Sequence, residues 1–290
     1  MSLFYARRKE NIMTNIQLKT LAQLKESLHI SYSQISCYMN CPLKYMFRYV
    51  KGFPPERVSS ALIFGKSIHT GIEHFYITYK RKQEKADVKT VQELFADVFS
   101  SEINKSEVPV IFRKDENKDT EIEMGKSMLK SFCRSAKLKD TQIIGVEMPL
   151  SARLYTDKGK PTDFVIIGVI DALIKNCDGD IVAIDNKTAL RAKSSEEVEK
   201  DLQFSVYGYL LCANKYVAKT DDAYCRMDVL RKLKRPKVEK YGTIRTPSDR
   251  KRLAKIAVNV LTAIENQAFY PVRSWMCSGG CEYKNACYSW

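Results

Sequence analysis

Apolar residues in the first half of the chain recur every three or four positions, which is the spacing of amphipathic helices. The pattern predicts helices over residues 16–28, 59–82, 88–103 and 119–137, and a pair of short helices within residues 31–50. Proline suits the first turn of a helix and not its interior, so the short pair is predicted to break at Cys41–Pro42. The chain is therefore expected to open with a helical region.

The apolar pattern changes its period near residue 141. Three segments rich in Val and Ile and bounded by turn residues predict consecutive strands, namely IIGVEMPLSARLYT, FVIIGVIDALIK and DIVAIDNKTA. Beyond them the pattern predicts a helix over 194–215, strands around 223–231 and 237–244, a helix over 247–267 and a terminal loop. This order of elements predicts an α/β domain with a central mixed sheet flanked by helices.

The same elements set the expected boundaries. Residues 1–30 are interpreted as an N-terminal extension, and residues 31–290 as a single domain. Within that domain, residues 83–138 are interpreted as a helical insertion and residues 270–290 as a cysteine-bearing segment.

Composition narrows the classes of protein. With 44% hydrophobic and 28% charged residues, the chain is expected to be globular. It has no run of about 18 apolar residues that would span a membrane, and its first residues are too polar for a secretory signal, so a cytoplasmic protein is expected. The net charge of +14 attracts polyanions. Charge alone favours a nucleic-acid partner only slightly over a solvated basic surface.

The segment IDNKTA places a carboxylate and a lysine two residues apart on a predicted strand. Side chains alternate faces along a strand, so Asp185 and Lys187 are expected to point the same way. An exposed ion pair would contribute little to stability, but this strand lies in a strongly apolar region. Asp171 interrupts the apolar run of the preceding strand, where a lone buried carboxylate is costly. The two strands therefore carry charges that call for a functional explanation.

The turn NCDGD between these strands decides whether the two carboxylates meet. If the pairing is symmetric about Asp178, Asp171 lies opposite Asp185; with a two-residue loop at Asp178–Gly179, it falls on the other face. The odd-length loop is predicted, because two facing carboxylates form a site for Mg²⁺ or Mn²⁺. Such a cation lowers the pKa of a bound water, and Lys187 would offset charge developing at a phosphorus atom.

GVID followed by IDNKT resembles the core of the PD-(D/E)XK nuclease superfamily, and is similar to its RecB-like exonucleases and CRISPR-associated iron–sulfur nucleases. Three further motifs stand in the family's order: GKSIH with His69, GVEMP with Glu147, and QFSVY with Gln203 and Tyr207. Each alone is ordinary, as a helix histidine, a strand glutamate or a helix pair at i, i+4. Their joint occurrence around GVID and DNK carries the resemblance, which spans residues 31–290.

The resemblance implies a role for each motif residue. The implied metal ligands are His69, Asp171, Asp185 and the backbone carbonyl of Asn186. The other implied catalytic groups are Glu147, which would support the metal through water, and Lys187, the catalytic lysine. The residues implied to position DNA or the site itself are Gln203 and Tyr207. His74 is given no role, because it lies on a different helical face from His69.

The chain has nine cysteines, three of them close together as Cys277-x3-Cys281-x5-Cys287. A metal site usually needs a fourth ligand. Cys41, in NCPLKYMF, resembles the lone N-terminal ligand of the iron–sulfur branch of the family, and Cys37 is the competing candidate. Four thiolates hold either a [4Fe–4S] cluster or Zn²⁺; spacing alone favours zinc, and the resemblance favours iron–sulfur. Either would join the two ends of the domain.

The expected function is that of a metal-dependent DNA nuclease, an exonuclease acting on single-stranded DNA or DNA ends. The expected processes are recombination, repair, phage replication or CRISPR adaptation. One alternative is a non-catalytic DNA-end-binding module, although such a module would usually have lost Asp171, Asp185 or Lys187. Another is a subunit that is active only with a helicase or a recombination or adaptation protein. The chain lacks a G-x-x-x-x-G-K-[ST] loop, so helicase activity would belong to another chain.

Overall fold

The structure is a computed structural model, and it describes residues 20–274, 276–277 and 280–290. The helices in chain order are α1 Leu21–Lys25, α2 Tyr32–Asn40, α3 Pro42–Tyr45 with a π-helical continuation Met46–Val50, α4 Ser60–Lys82, α5 Val88–Asn104, α6 Lys118–Ser135, α7 Ser195–Glu199, α8 Leu202–Ala213, α9 Pro247–Glu265 and α10 Lys284–Tyr288. The strands are β1 His29–Ser31, β2 Val58–Ser59, β3 Val110–Ile111, β4 Gln142–Tyr155, β5 Pro161–Lys175, β6 Ile181–Ala189, β7 Ala223–Arg231 and β8 Lys237–Arg245. Among the described residues, no helix is both long and apolar enough for a membrane span.

The central sheet is mixed, as the sequence predicts. Strands β5, β6, β7 and β8 lie side by side in that order; β1 pairs with β5 on the same edge as β6, and β4 pairs with the opposite edge. β1 and β7 run parallel to their neighbours β5 and β6, whereas β4–β5, β5–β6 and β7–β8 are antiparallel. The short strands β2 and β3 form a separate parallel pair.

One edge of β5 is shared by two strands placed end to end. β1 pairs with residues 165–167 of β5, and β6 pairs with residues 172–175. Residues 168–171 between them have no strand partner on this edge, although β4 pairs with β5 on the other side. The sheet therefore contains a gap at GVID, and this gap positions the candidate site.

Helices cover both faces of the sheet. The apolar cores that result are built on one face from α2, α8 and α9, and on the other from α4, α5 and α6. Close contact between α8 and β5 depends on Gly168 of GVID, where an added Cβ would lie 2.9 Å from Leu210 Cδ1. The helices within residues 83–138 thus form, with α4, one of the two helical layers.

Two sequence-based element assignments are wrong. The single helix predicted over 194–215 is two helices, because the Asp201 side chain accepts the N–H of Gln203 and starts α8 anew. The predicted C-terminal loop contains α10, whose first amides at Asn285 and Ala286 donate to the carboxylate of Glu56. A cap from a residue so distant in sequence leaves no local signal. Of the helix predicted over 16–28, residues 16–19 lie outside the described residues.

Candidate active site

The β5–β6 hairpin brings two carboxylates to the edge of the gap. Lys175 pairs with Ile181, so the loop between the strands has five residues, and the register continues to Ala172 opposite Ile184. The next position in this register sets Asp171 opposite Asp185. The predicted odd-length loop is confirmed.

Asp171 marks the point where the two strands separate. Its Oδ2 accepts the backbone N–H of Asn186 at 2.7 Å, in place of a strand-to-strand hydrogen bond. Nδ1 of His69, on α4, lies 3.5 Å from the same oxygen. The carboxylate is thus held by the backbone of one strand and faces a histidine from the helical layer.

Glu147 completes a group of three metal-ligating side chains. Ligand atoms of His69, Glu147 and Asp171 all lie within 4.8 Å of one another. On β4, Glu147 lies between Val146 and Met148, which pair with β5 on either side of Asp171. Its φ is 44°, a left-handed conformation that costs free energy in a residue other than glycine and is concentrated at functional sites.

A second group of side chains surrounds Asp185. The Asp185 side chain is almost fully buried, and its Oδ1 accepts hydrogen bonds from Lys187 Nζ at 3.0 Å, Gln203 Nε2 at 2.7 Å and the Tyr207 hydroxyl at 3.1 Å. Oδ2 lies 3.0 Å from the same Lys187 nitrogen but receives no hydrogen bond. Burial raises the pKa of Asp185 despite Lys187. Burial lowers the pKa of Lys187, but the negative charges of Asp185 and Asp171 raise it by more. The net effect is a raised pKa, so the lysine stays a cation.

The structure brings the residues implied by the resemblance together, but divides them differently. His69 and Asp171 form the three-residue group with Glu147. The resemblance implied instead that Glu147 would contact the metal only through a water molecule. Asp185 lies in the neighbouring group with Lys187, Gln203 and Tyr207. The metal-ligand roles of Asp185 and of the Asn186 carbonyl stay predictions.

Two residues near the site escaped the sequence analysis. Glu73 follows His69 by one helical turn on α4, and its charge contributes to the raised pKa of Glu147. Tyr32 follows β1 directly, and burial, with the nearby Asp201 charge, raises the pKa of its hydroxyl to about 12. Helical spacing from His69 was an available signal for Glu73. Tyr32 had none, because β1 is too short to show a strand period.

The four cysteines of the predicted cluster line one cavity of about 770 Å³, namely Cys41, Cys277, Cys281 and Cys287. Cys37 is not among its lining residues and packs against the main core. Within the described ranges, no three cysteine sulfurs lie within 4.8 Å of one another. Cys41 thus lies with the three C-terminal cysteines and Cys37 does not, and the ligand roles of all four stay predictions.

The carboxyl group of Glu147 is expected to make the metal-free protein less stable as pH rises. Partial burial and the charges of Asp171 and Glu73 raise its pKa from 4.5 to about 8. The folded state therefore binds this proton more tightly than the unfolded chain, and that stabilisation is present below about pH 4.5 and lost as pH rises through about 8. Because the group is partly exposed, we expect about 2 kcal/mol rather than the full value of the shift.

Thermal melting in metal-free buffer at about pH 6 and pH 9 measures this effect. In the Glu147→Gln variant, most of the loss of stability between these two pH values should disappear. This variant should also melt at a higher temperature than the wild type at the higher pH. An unchanged pH profile in Glu147→Gln would contradict the assignment. Glu147 must also lose its proton to bind a cation, so adding Mn²⁺ at high pH should raise the melting temperature of the wild-type protein.

Comparison with known proteins identifies the family of this chain. The family model of the PD-(D/E)XK nuclease superfamily matches residues 29–288. A crystal structure from Eubacterium rectale, described as a putative exonuclease, aligns with a TM-score of 0.58 at 12% identity, over 95% of this chain and 94% of that one. A second crystal structure, described as SSO0001, aligns with a TM-score of 0.36 at 15% identity, over 85% of this chain and 94% of that one. No curated relative matches the sequence. The chain belongs to the PD-(D/E)XK nuclease superfamily.

Proposed function

We propose that this protein is a Mg²⁺- or Mn²⁺-dependent deoxyribonuclease that acts as an exonuclease on single-stranded DNA or DNA ends. The observation that carries the proposal is the convergence of His69, Glu147 and Asp171 beside the Asp185–Lys187 pair. Superfamily membership supports phosphodiester hydrolysis. The net charge of +14 suits a polyanionic substrate.

The donor set fits a hard divalent cation. The ligand atoms of two carboxylates and one imidazole lie within 4.8 Å of one another, and Mg²⁺ and Mn²⁺ favour oxygen-rich sites. Asp185 Oδ2 is buried and receives no hydrogen bond, although Lys187 Nζ lies 3.0 Å away, so this oxygen keeps a lone pair for a further ligand. When bound, the cation supplies a water of lowered pKa and polarises the phosphodiester.

In the proposed reaction, the protein's own side chains would offset negative charge and hold Asp185 in position. Lys187 is held by Asp185 and stays charged, so its ammonium group can offset negative charge that develops at phosphorus. Gln203 and Tyr207 donate to Asp185 and fix its orientation. Such supporting hydrogen bonds commonly change metal affinity or activity by about 10- to 100-fold when removed.

We also propose a [4Fe–4S] cluster in the cysteine-lined cavity. A tetrahedral zinc site with Zn–S bonds of about 2.3 Å would place its sulfurs about 3.8 Å apart. The described cysteines include no such triplet, and they surround a cavity of about 770 Å³. Leu43, Phe47 and Tyr283 form a buried apolar cluster on this cavity, which would shield a cofactor from water. This wider arrangement supports the larger iron–sulfur cofactor over zinc.

The retained Asp171, Asp185 and Lys187 favour a nuclease over a non-catalytic DNA-end-binding module. In the alternative, the protein is active only together with a helicase or a recombination or adaptation protein.

The proposal is tested by degradation of end-labelled single- and double-stranded DNA with Mg²⁺, Mn²⁺ or a chelator. Wild-type protein should produce a metal-dependent ladder, from which the polarity can be read. Lys187→Met should retain metal binding but lower kcat by about 10²- to 10³-fold, because it removes only the charge next to phosphorus. Folded, cluster-loaded wild-type protein that cuts neither substrate would count against the nuclease and favour the partner-dependent alternative.

A further inference from the structure

A groove of about 1260 Å³ lies away from the candidate active site. One wall is the end of β4 with the turn into β5, another is the C-terminal end of α8 with the loop after it, and the third is the first half of α9. None of the residues that surround Asp171 and Asp185 lines it. The groove is therefore a surface that the proposed chemistry does not use.

Hydrogen bonds hold these walls in fixed positions. The Tyr209 hydroxyl, on α8, donates to the Arg153 carbonyl at 2.9 Å and accepts from the Tyr155 amide at 3.1 Å, which ties β4 to the helix. The buried guanidinium of Arg250, on α9, donates to the carbonyl oxygens of Lys219 at 2.8 Å and Asp221 at 3.0 Å. The groove is thus preorganised, and a ligand would bind it without first ordering the loops.

The charge of the groove is almost entirely positive. Its exposed cationic side chains are Arg153, Lys158, Lys215, Lys219 and Lys251. Within the part of the chain that the structure describes, none of these five forms an ion pair, and Asp157 is the only acidic residue in the lining. Unpaired cations in a concave surface attract a polyanion more strongly than the same charges spread over a convex one. Tyr155, 43% exposed at the edge, offers an aromatic ring for base stacking.

The helix α8 connects this groove to the candidate site. Gln203 and Tyr207 lie in its first half, next to Asp185, whereas Ala213 at its end lines the groove. Ten residues of helix separate Gln203 from Ala213, which corresponds to about 15 Å at a rise of 1.5 Å per residue. For a single strand with stacked bases, at about 3.4 Å per nucleotide, that distance equals four to five nucleotides.

We propose that this groove binds the sugar–phosphate backbone of the DNA substrate about four to five nucleotides from the bond that is cleaved. The proposal rests on the nuclease function proposed above and adds a second binding surface, in which lysines contact phosphates and Tyr155 contacts a base. It predicts that substrates long enough to reach the groove bind more tightly than those that occupy the active site alone.

The experiment compares two triple variants of equal charge change. Lys215→Ala, Lys219→Ala and Lys251→Ala together alter the groove. Lys130→Ala, Lys137→Ala and Lys139→Ala together alter exposed lysines at and just beyond the end of α6, as a matched control. Affinity for a fluorescein-labelled single-stranded oligonucleotide of about 20 nucleotides is measured by anisotropy, without divalent cations, over a range of salt concentrations.

The groove variant should bind the long oligonucleotide at least about tenfold more weakly, and three lost phosphate contacts should reduce the slope of log affinity against log salt by about 2. The control variant should match the wild type within about twofold. In cleavage assays, the groove variant should lose activity on the long substrate but keep it on one of about four nucleotides.

Equal binding by the groove variant and the wild type would overturn the proposal and leave the groove to an acidic protein partner. An equal loss of activity on both substrate lengths would also overturn it. The binding measurement requires no cleavage, so it decides about the groove even if the wild-type protein proves inactive. Thermal melting of both variants, expected to equal that of the wild type, excludes misfolding as the cause.

Discussion

Asp171→Asn is expected to abolish metal-dependent DNA cleavage, with kcat falling by about 10³-fold or more. The substitution replaces a charged ligand oxygen by a neutral amide at the centre of the group formed with His69 and Glu147. The fold should survive, because the asparagine oxygen can still accept the Asn186 N–H that Asp171 Oδ2 accepts at 2.7 Å. Loss of charge without loss of this hydrogen bond separates the catalytic role of Asp171 from its structural role.

Mn²⁺ binding measured by calorimetry and cleavage of end-labelled DNA should fall together in this variant. Asp178→Asn is the matched control, since it makes the same change in the same hairpin, on an exposed loop residue. That control should cleave and bind like the wild type. A folded Asp171→Asn protein that keeps its Mn²⁺ affinity and activity would remove Asp171 from the site.

The second large effect is expected from Cys281→Ser, which should give colourless, aggregation-prone protein. Cys41 and Cys281 line one cavity, so a cofactor bound there would close a loop of more than 200 residues. Constraining a loop of that length stabilises the folded state by about 5 kcal/mol, which approaches the whole stability of a typical domain. Loss of one ligand should therefore lower both the visible absorbance of the cluster and the soluble yield.

Cys37→Ser provides the matched control, because Cys37 lies one helical turn before Cys41 but does not line the cavity. The Cys37→Ser protein should stay coloured and soluble, whereas Cys41→Ser should behave like Cys281→Ser. If the Cys281→Ser protein were colourless but soluble and fully folded, the cofactor would not be essential to the fold.

The sequence predicted those features of the site that depend on local periodicity. Alternation along one strand set Asp185 and Lys187 on the same face, and their side chains are 3.0 Å apart. The odd-length loop set Asp171 opposite Asp185, because apolar patterns fix the register of two adjacent strands.

Features that depend on distant contacts were not predictable in the same way. The left-handed backbone at Glu147 lies where β4 pairs with the part of β5 around Asp171, and nothing in the sequence GVEMP indicates it. Glu147 has this backbone conformation and is one of the three residues whose ligand atoms lie together. The gap itself depends on β1, whose three residues are too few to show a strand pattern.

The contacts between the two ends of the chain have a consequence for how the protein folds during synthesis. The Tyr38 hydroxyl donates to the Ala268 carbonyl at 2.7 Å, Lys44 pairs with Glu282 at 2.9 Å, and Glu56 accepts the amide of Asn285 at 3.0 Å. Each contact spans about 230 residues, and contacts between such distant residues form slowly. On the ribosome, α2 and α3 would therefore emerge long before their partners exist. These early helices are therefore among the last elements to reach their final environment.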